Sequence, residues 1–244
     1  MTIKKSLLVL LGLVVVLSAC VVPINAITVR GSGSVITEKR EVIGFDQIQL
    51  STLGTLEIIQ GEEEGLEINA EGNLLPYLLT TIRGKTLEIR TANNVSIEPT
   101  KNITYTLKVK NLSGIFTSSL GSINASQLTT DKIEIGISSV GDINIDTLIA
   151  GDLQVRISSS GDLSLAGKVA TQDVAISSSG NYSGGNLQSQ SAVVRISSSG
   201  NAKIWVIKDL SVQISSSGIV DYFGSPRVFT KISSSGKVNA LGMH

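Results

Sequence analysis

The chain has 244 residues, with 20 Lys and Arg against 20 Asp and Glu and only 4 % aromatics. That length admits one large domain or two small ones, and the balanced charge supplies no net field to draw in nucleic acid. One cysteine, Cys20, and one histidine, His244 at the end of the chain, leave no material for an intrachain disulfide, a His/Cys metal centre or a His-based triad.

The N-terminus reads as an address. Lys4 and Lys5 precede an apolar run, Leu7–Leu17, that is short for a bilayer span, and Leu17-Ser18-Ala19-Cys20 follows. The tetrapeptide resembles a bacterial lipobox, which makes residues 1–19 a lipoprotein signal peptide and Cys20 the acylated first residue of the mature chain. An ordinary cleaved signal peptide or an uncleaved anchor, with Cys20 incidental, is the alternative. Cleavage would remove Lys4 and Lys5, leaving 18 basic and 20 acidic side chains. Residues 20–30 then form a short tether that holds the body near the membrane.

From residue 31 the pattern turns to strands. Ile48-Gln49-Leu50, Leu56-Glu57-Ile58, Leu66-Glu67-Ile68, Leu87-Glu88-Ile89 and Tyr105-Thr106-Leu107 alternate apolar and polar side chains with period two. No sustained i, i+3, i+4, i+7 pattern argues for a long helix after residue 20. Glu62, Glu63 and Glu64 mark a solvated turn. Residues 31–110 are therefore expected to form a less regular N-terminal β region, in which Leu50–Gly54 echoes the Ile-Ser-Ser-Ser-Gly unit of the second half.

Residues 111–244 repeat. Ile-Ser-Ser-Ser-Gly occurs at Ile157–Gly161, Ile176–Gly180, Ile196–Gly200, Ile214–Gly218 and Ile232–Gly236, with looser copies ending at Gly121 and Gly141. Successive glycines are 18 to 20 residues apart, the period of a solenoid in which each coil buries its apolar side only against its neighbours. The expected fold is all-β, a parallel β-helix of 18–20 residues per coil. Within one coil Leu153, Val155, Ile157 and Ser159 should face inward, and Gln154, Arg156 and Ser158 outward. Ser139, Ser159, Ser178, Ser198, Ser216 and Ser234 would then form a hydroxyl ladder at a corner, and the glycine would supply a positive φ at the bend.

The outward serines Ser158, Ser177, Ser197 and Ser215, with Arg156, Arg195 and Lys231, make a polar stripe. It is the candidate binding surface, for a glycan or an acidic polymer; the plainer reading is solubilising charge that blunts lateral sheet association. Gly-Asp pairs at 141–142, 151–152 and 161–162 lack the spacing of nonapeptide calcium repeats and read as turns. Trp205 reads as a local core plug, with a sugar platform as the alternative. No phosphate loop, no paired catalytic carboxylates and no cofactor motif occur.

Several dispersed motifs carry a family resemblance: Phe45-Asp46-Gln47-Ile48, Gln60-Gly61-Glu62, Asn73-Leu74-Leu75-Pro76, Thr86-Leu87-Glu88-Ile89, and Asp221-Tyr222-Phe223-Gly224-Ser225-Pro226 before Ser-Ser-Ser-Gly-Lys-Val. Across residues 31–241 the chain resembles the head-GIN-domain family, often labelled putative auto-transporter adhesin. The resemblance implies a right-handed β-helix-like fold and brings no catalytic residues. Only eight residues follow Gly236, too few for a translocating membrane barrel, so the lipid is expected to be the anchor. The expectation is a non-enzymatic envelope protein, on the periplasmic side or the cell surface, whose partner is a glycan or another envelope protein. The rivals are a carbohydrate-active β-helix enzyme and a structural or signalling partner. The last coil leaves an edge for weak self-association.

Overall fold

The computed structural model describes residues 27–244, so the signal peptide and Cys20 lie outside the described residues. The first strands are β1 (Ile27–Arg30), β2 (Val35–Arg40), β3 (Gln47–Ser51), β4 (Thr55–Gln60) and β5 (Gly65–Glu71). A 3-10 turn at Leu75–Tyr77 leads to β6 (Leu78–Arg83), β7 (Thr86–Thr91), β8 (Val95–Glu98) and β9 (Thr104–Val109). The repeat region holds β10 (Gly114–Thr117), β11 (Ser122–Ala125), β12 (Leu128–Ile137), β13 (Ile143–Ile157), β14 (Asp162–Ile176), β15 (Asn181–Ile196) and β16 (Asn201–Ile214). It closes with β17 (Ile219–Phe223), β18 (Arg227–Ile232) and β19 (Lys237–Gly242).

From β13 to β16 each coil is a single strand of 14 to 16 residues, interrupted only at the Ser-Ser-Ser-Gly corner. Period-two alternation explains why one strand can follow the whole coil: every second side chain finds the same interior. The parallel register stacks Ile48, Ile115, Ile135, Val155, Val174, Val194 and Val212 in one column. A second column holds Leu56, Ile123, Ile143, Leu163, Tyr182, Ala202 and Val220. All of these side chains are buried, apolar on apolar at the strand spacing of about 4.8 Å, and all are aliphatic except Tyr182.

The layers are not in chain order. β3 and β4 lie directly beneath β10 and β11, and beneath β3 and β4 lie β7 and β9. The chain enters at the second layer, runs down, and returns, so both halves share one stack. β6 and β5 then pair antiparallel with β7 and β9, and β2 pairs antiparallel with β5. Those strands cap the lower end. Arg40 fastens the cap, donating to Leu78 O at 2.5 Å and to Thr80 Oγ1 at 2.6 Å.

Glu71, fully buried at the end of β5, accepts the Gly33 amide at 2.5 Å, the Thr100 hydroxyl at 2.6 Å and amide at 2.8 Å, and the Lys101 amide at 3.3 Å. The carboxylate thus joins the segment after β1 to the loop after β8, beside the small parallel pair that those two strands make.

The repeat glycines correct one expectation. Gly121, Gly141, Gly161, Gly180, Gly200, Gly218 and Gly236 are absent from the residues with positive φ. They are glycines for lack of room: a Cβ on Gly180 would lie 2.5 Å from Ile157 Cγ2, 2.7 Å from Gly161 O and 2.8 Å from Ser159 O in the coil beneath.

The interior holds one buried polar pair inside the repeat. Tyr182 Oη donates to Gln172 Oε1 at 2.6 Å, and Gln172 Nε2 donates to Leu187 O at 3.2 Å. Burial pushes the Tyr182 phenol well above its ordinary pKa. Tyr182→Phe removes the donor and leaves Gln172 Oε1 buried without a partner, so it should destabilise by about 1–3 kcal/mol. Thermal unfolding should fall by about 2–4 °C for each kcal/mol in a chain of this size. An unchanged melting temperature would show that the pair contributes nothing.

Candidate functional site

The outward stripe forms where alternation places it. Its column reads Phe116, Gly136, Arg156, Ala175, Arg195, Gln213 and Lys231 from coil to coil. Beside it run the exposed serines Ser158, Ser177, Ser197 and Ser215. The amide of each donates to the isoleucine carbonyl of the coil below at 2.9–3.0 Å, which fixes the backbone and points the hydroxyl to solvent.

Ala175 is small between two arginines, and a shallow groove of about 300 Å³ opens there. It is lined by Ser177, Arg195, Ser197, Gln213, Ser215 and Lys231. Of the candidate residues named above, only Ser158 and Arg156 lie outside it.

Charge on the stripe is mostly spent. Arg156 pairs with Glu134 at 3.1 Å and Arg195 with Asp173 at 2.6 Å, each acid one coil lower and diagonally placed. Both pairs are exposed and worth roughly 0–1 kcal/mol apiece. Lys231 sits one coil above Gln213 with no ion-pair partner among the described residues. The stripe is therefore less basic than its sequence reads.

The hydroxyls are less occupied. Low in the stack Ser118 Oγ is bound to Ser51 Oγ at 2.9 Å and by Gln49 Nε2 at 3.0 Å, and Ser138 Oγ donates to Thr117 O at 3.3 Å. No such bond engages the hydroxyls of Ser158, Ser177, Ser197 and Ser215 among the described residues. The half-buried middle serines do not form the expected hydroxyl ladder either, since no hydrogen bond links Ser159 to Ser178 or Ser198. Low in the stack the middle serine Ser119 still donates its hydroxyl to Thr52 O, but from Ser158 upward coil-to-coil bonding at that corner runs through the main chain.

A side-chain ladder does exist, one residue past the glycine. Asp142 Oδ1 accepts the Asp162 amide at 3.0 Å, Asp162 Oδ1 accepts from Asn181 Nδ2 at 2.8 Å, and Asn181 Oδ1 accepts from Asn201 Nδ2 at 3.0 Å. The sequence signal is the recurring Asp or Asn after the repeat glycine; only the Gly-Asp pairs were read above, as turns, and Asn181 and Asn201 carry the ladder on. No group of three or more Asp, Glu, His or Cys side chains that could hold a metal occurs among the described residues.

Trp205 is corrected as well. Ile204 and Val206 fill the interior on either side of it, so alternation turns the indole outward, half-buried. Its face is covered by the His244 ring, stacked at 4.1 Å and 7°.

Fold and surface define a capped parallel β-solenoid with a repetitive hydroxyl-bearing side. The family model described as putative auto-transporter adhesin, head GIN domain, matches residues 44–226, and the chain belongs to that family. A crystal structure of a putative adhesin from Bacteroides fragilis superposes with a TM-score of 0.82 at 21 % identity, covering 87 % of this chain and 100 % of that one. A putative lipid binding protein from Parabacteroides distasonis gives 0.74 at 24 %, covering 88 % and 99 %. A putative adhesin from Parabacteroides merdae gives 0.72 at 22 %, covering 88 % and 100 %. These likenesses establish the fold. Among curated proteins none is similar in sequence.

Proposed function

We propose that the protein is a non-enzymatic, lipid-anchored component of the bacterial cell envelope, held through Cys20, whose solenoid side binds a polymeric glycan. The observation behind this reading is the groove along Ser177, Ser197 and Ser215, where unengaged hydroxyls recur at about 4.8 Å intervals. A ladder of identical hydrogen-bonding groups suits a repeating polyol better than a compact small molecule. The adhesin names of the family and of its structural neighbours fit the same role.

The test is binding of fluorescent neutral glucan, mannan and uronate polymers to the purified body. Ser197→Tyr and Ser215→Tyr fill the groove without touching the interior and should weaken binding by about tenfold, near 1.4 kcal/mol. No binding to any of the polymers would overturn the glycan reading, and release of reducing ends would favour the enzyme instead. In cells, Cys20→Ala should abolish incorporation of labelled fatty acid; incorporation that persists would refute the anchor.

A further inference from the structure

The two ends of the coil stack differ. The lower end is closed by β6, β5 and β2. At the upper end β18 pairs with β16 alone and β19 with β17 alone, and their outer edges have no partner among the described residues. Columns sealed at Leu210, Val212, Ile214 and Val220 surface one coil later at Val228, Thr230, Ile232 and Val238. Ile232 is 41 % exposed, and Phe229, on the outward face of the same strand, 62 %. The residues after β19 do not fold over the opening. Gly224 N donates to Gly242 O at 2.9 Å, and His244 reaches back to Trp205, the layer beneath Phe223. A solenoid end with bare core columns is the feature that capping repeats elsewhere exist to remove.

We propose that this open end is an interface between two copies of the chain, joined end to end about a two-fold axis. The sequence of β18 is self-complementary around Thr230. Paired antiparallel with its own copy there, it sets Val228 opposite the partner copy's Ile232 on the inward side, so the core columns of one body run into those of the other. On the outward side Phe229 meets the second copy's Lys231, a cation over an aromatic face. The contact is isologous and closes at two copies, because each copy spends its one open end on it. A capped end presents no bare columns to match, so head-to-tail growth is disfavoured.

Charge sets the sign of the salt response. Residues 225–244 contain Arg227, Lys231 and Lys237 and no Asp or Glu, and Arg227 is already paired with Asp209 at 2.7 Å. Two lysines per copy, unpaired among the described residues, therefore gather at the joint beside the Phe229–Lys231 contacts, and salt should tighten the dimer by screening their net repulsion. An acidic partner or an anionic membrane would respond in the opposite direction. One coil per side is a small joint beside the ~800 Å² per partner of a standard complex, so a weak, concentration-dependent dimer is expected. Because β1 lies at the capped end, the two copies of Ile27 would lie at opposite ends of the dimer, separated by roughly 80 Å at 4.8 Å per layer.

Protein lacking residues 1–19 and carrying Cys20→Ser, so that no lipid is attached, can be studied by sedimentation velocity from 5 to 300 µM. A monomer–dimer equilibrium that tightens between 0.05 and 0.5 M NaCl is expected. Phe229→Lys sets lysine against Lys231 and should weaken the dimer at least tenfold, whereas Phe229→Glu should preserve or strengthen it. Directly opposed antiparallel residues have Cα atoms within disulfide reach, so Thr230→Cys should yield a covalent dimer on mild oxidation and Val35→Cys, on the cap, should not. A monomer at 300 µM, oligomers beyond two, equal crosslinking at both positions, or the same response to both Phe229 substitutions would overturn the proposal. So would a monomer that co-sediments with phosphatidylglycerol vesicles at low salt, which would make the occupant a membrane. Glycan binding at the groove is read separately, so either proposal can fail without the other.

Discussion

Gly180→Ala should destabilise the protein by about 2 kcal/mol, against the usual sign for a glycine whose φ is not positive. At an unstrained site without crowding, alanine stabilises by about 0.4–1 kcal/mol because it restricts the unfolded chain. At Gly180 the new methyl would meet Ile157 Cγ2 and the carbonyl oxygens of Gly161 and Ser159 at 2.5–2.8 Å. Two of those three atoms are main chain of the coil beneath, which cannot step aside as the end of a side chain could. Overpacking of this kind costs about 1–3 kcal/mol, and the coils must part locally to relieve it. Gly65→Ala is the control, since its Cβ would meet nothing within 4 Å. Melting temperatures should drop by about 4–8 °C for the first variant and hold or rise slightly for the second. If Gly180→Ala melts no lower than Gly65→Ala, close approach between coils is not what the repeat glycine provides.

That contrast shows where the fold was legible. The columns followed from period two plus a repeat of 18–20 residues, because a coil that buries every second side chain leaves nothing else to decide; Val155 over Ile135 and under Val174 is the result. Why the glycine is there was not legible, since a bend and a close approach both call for glycine and only the neighbouring coil separates them. The layer order was hidden for a related reason. β3 and β7 have the same alternation as β10, and nothing local to Gln47–Ser51 states that it will lie between strands some 40 and 65 residues further on. At the candidate site, the positions of Ser177, Ser197 and Ser215 were readable from the repeat, but the neutralisation of Arg195 was not. Asp173 lies 22 residues away, a diagonal partner visible only once the coils are in register. Trp205 could have been placed correctly: Ile204 and Val206 already occupied the inward positions, and the rarity of tryptophan in the repeat outweighed the alternation that was present.

Acidification should open the cap before the coils. Glu71 has its pKa held down to about 2 from an ordinary 4.5, first by the Thr100 hydroxyl and then by the amides of Thr100, Gly33 and Lys101, which together outweigh the opposing effect of burial. Since the folded value is the depressed one, the stabilisation is fully present above pH 4.5. It is lost progressively as pH falls from there towards 2, because the unfolded chain takes up the proton first. Protonation leaves amides that were ordered by a charge facing a neutral acid, and the segment that responds is local: the Gly31–Gly33 approach, the loop after β8, and the β1–β8 pair they support. Glu71→Gln removes the charge at every pH. At pH 7 the variant should exchange the amides of Gly33, Thr100 and Lys101 roughly tenfold faster than wild type or more, while Val155 and Val194 in the coils keep their protection. Between pH 4.5 and 2 wild type should converge on the variant, after the intrinsic pH dependence of exchange is removed. Parallel profiles over that range would mean that the carboxylate is not what locks the cap, and loss of coil protection at the same pH would mean that cap and coils unfold as one unit.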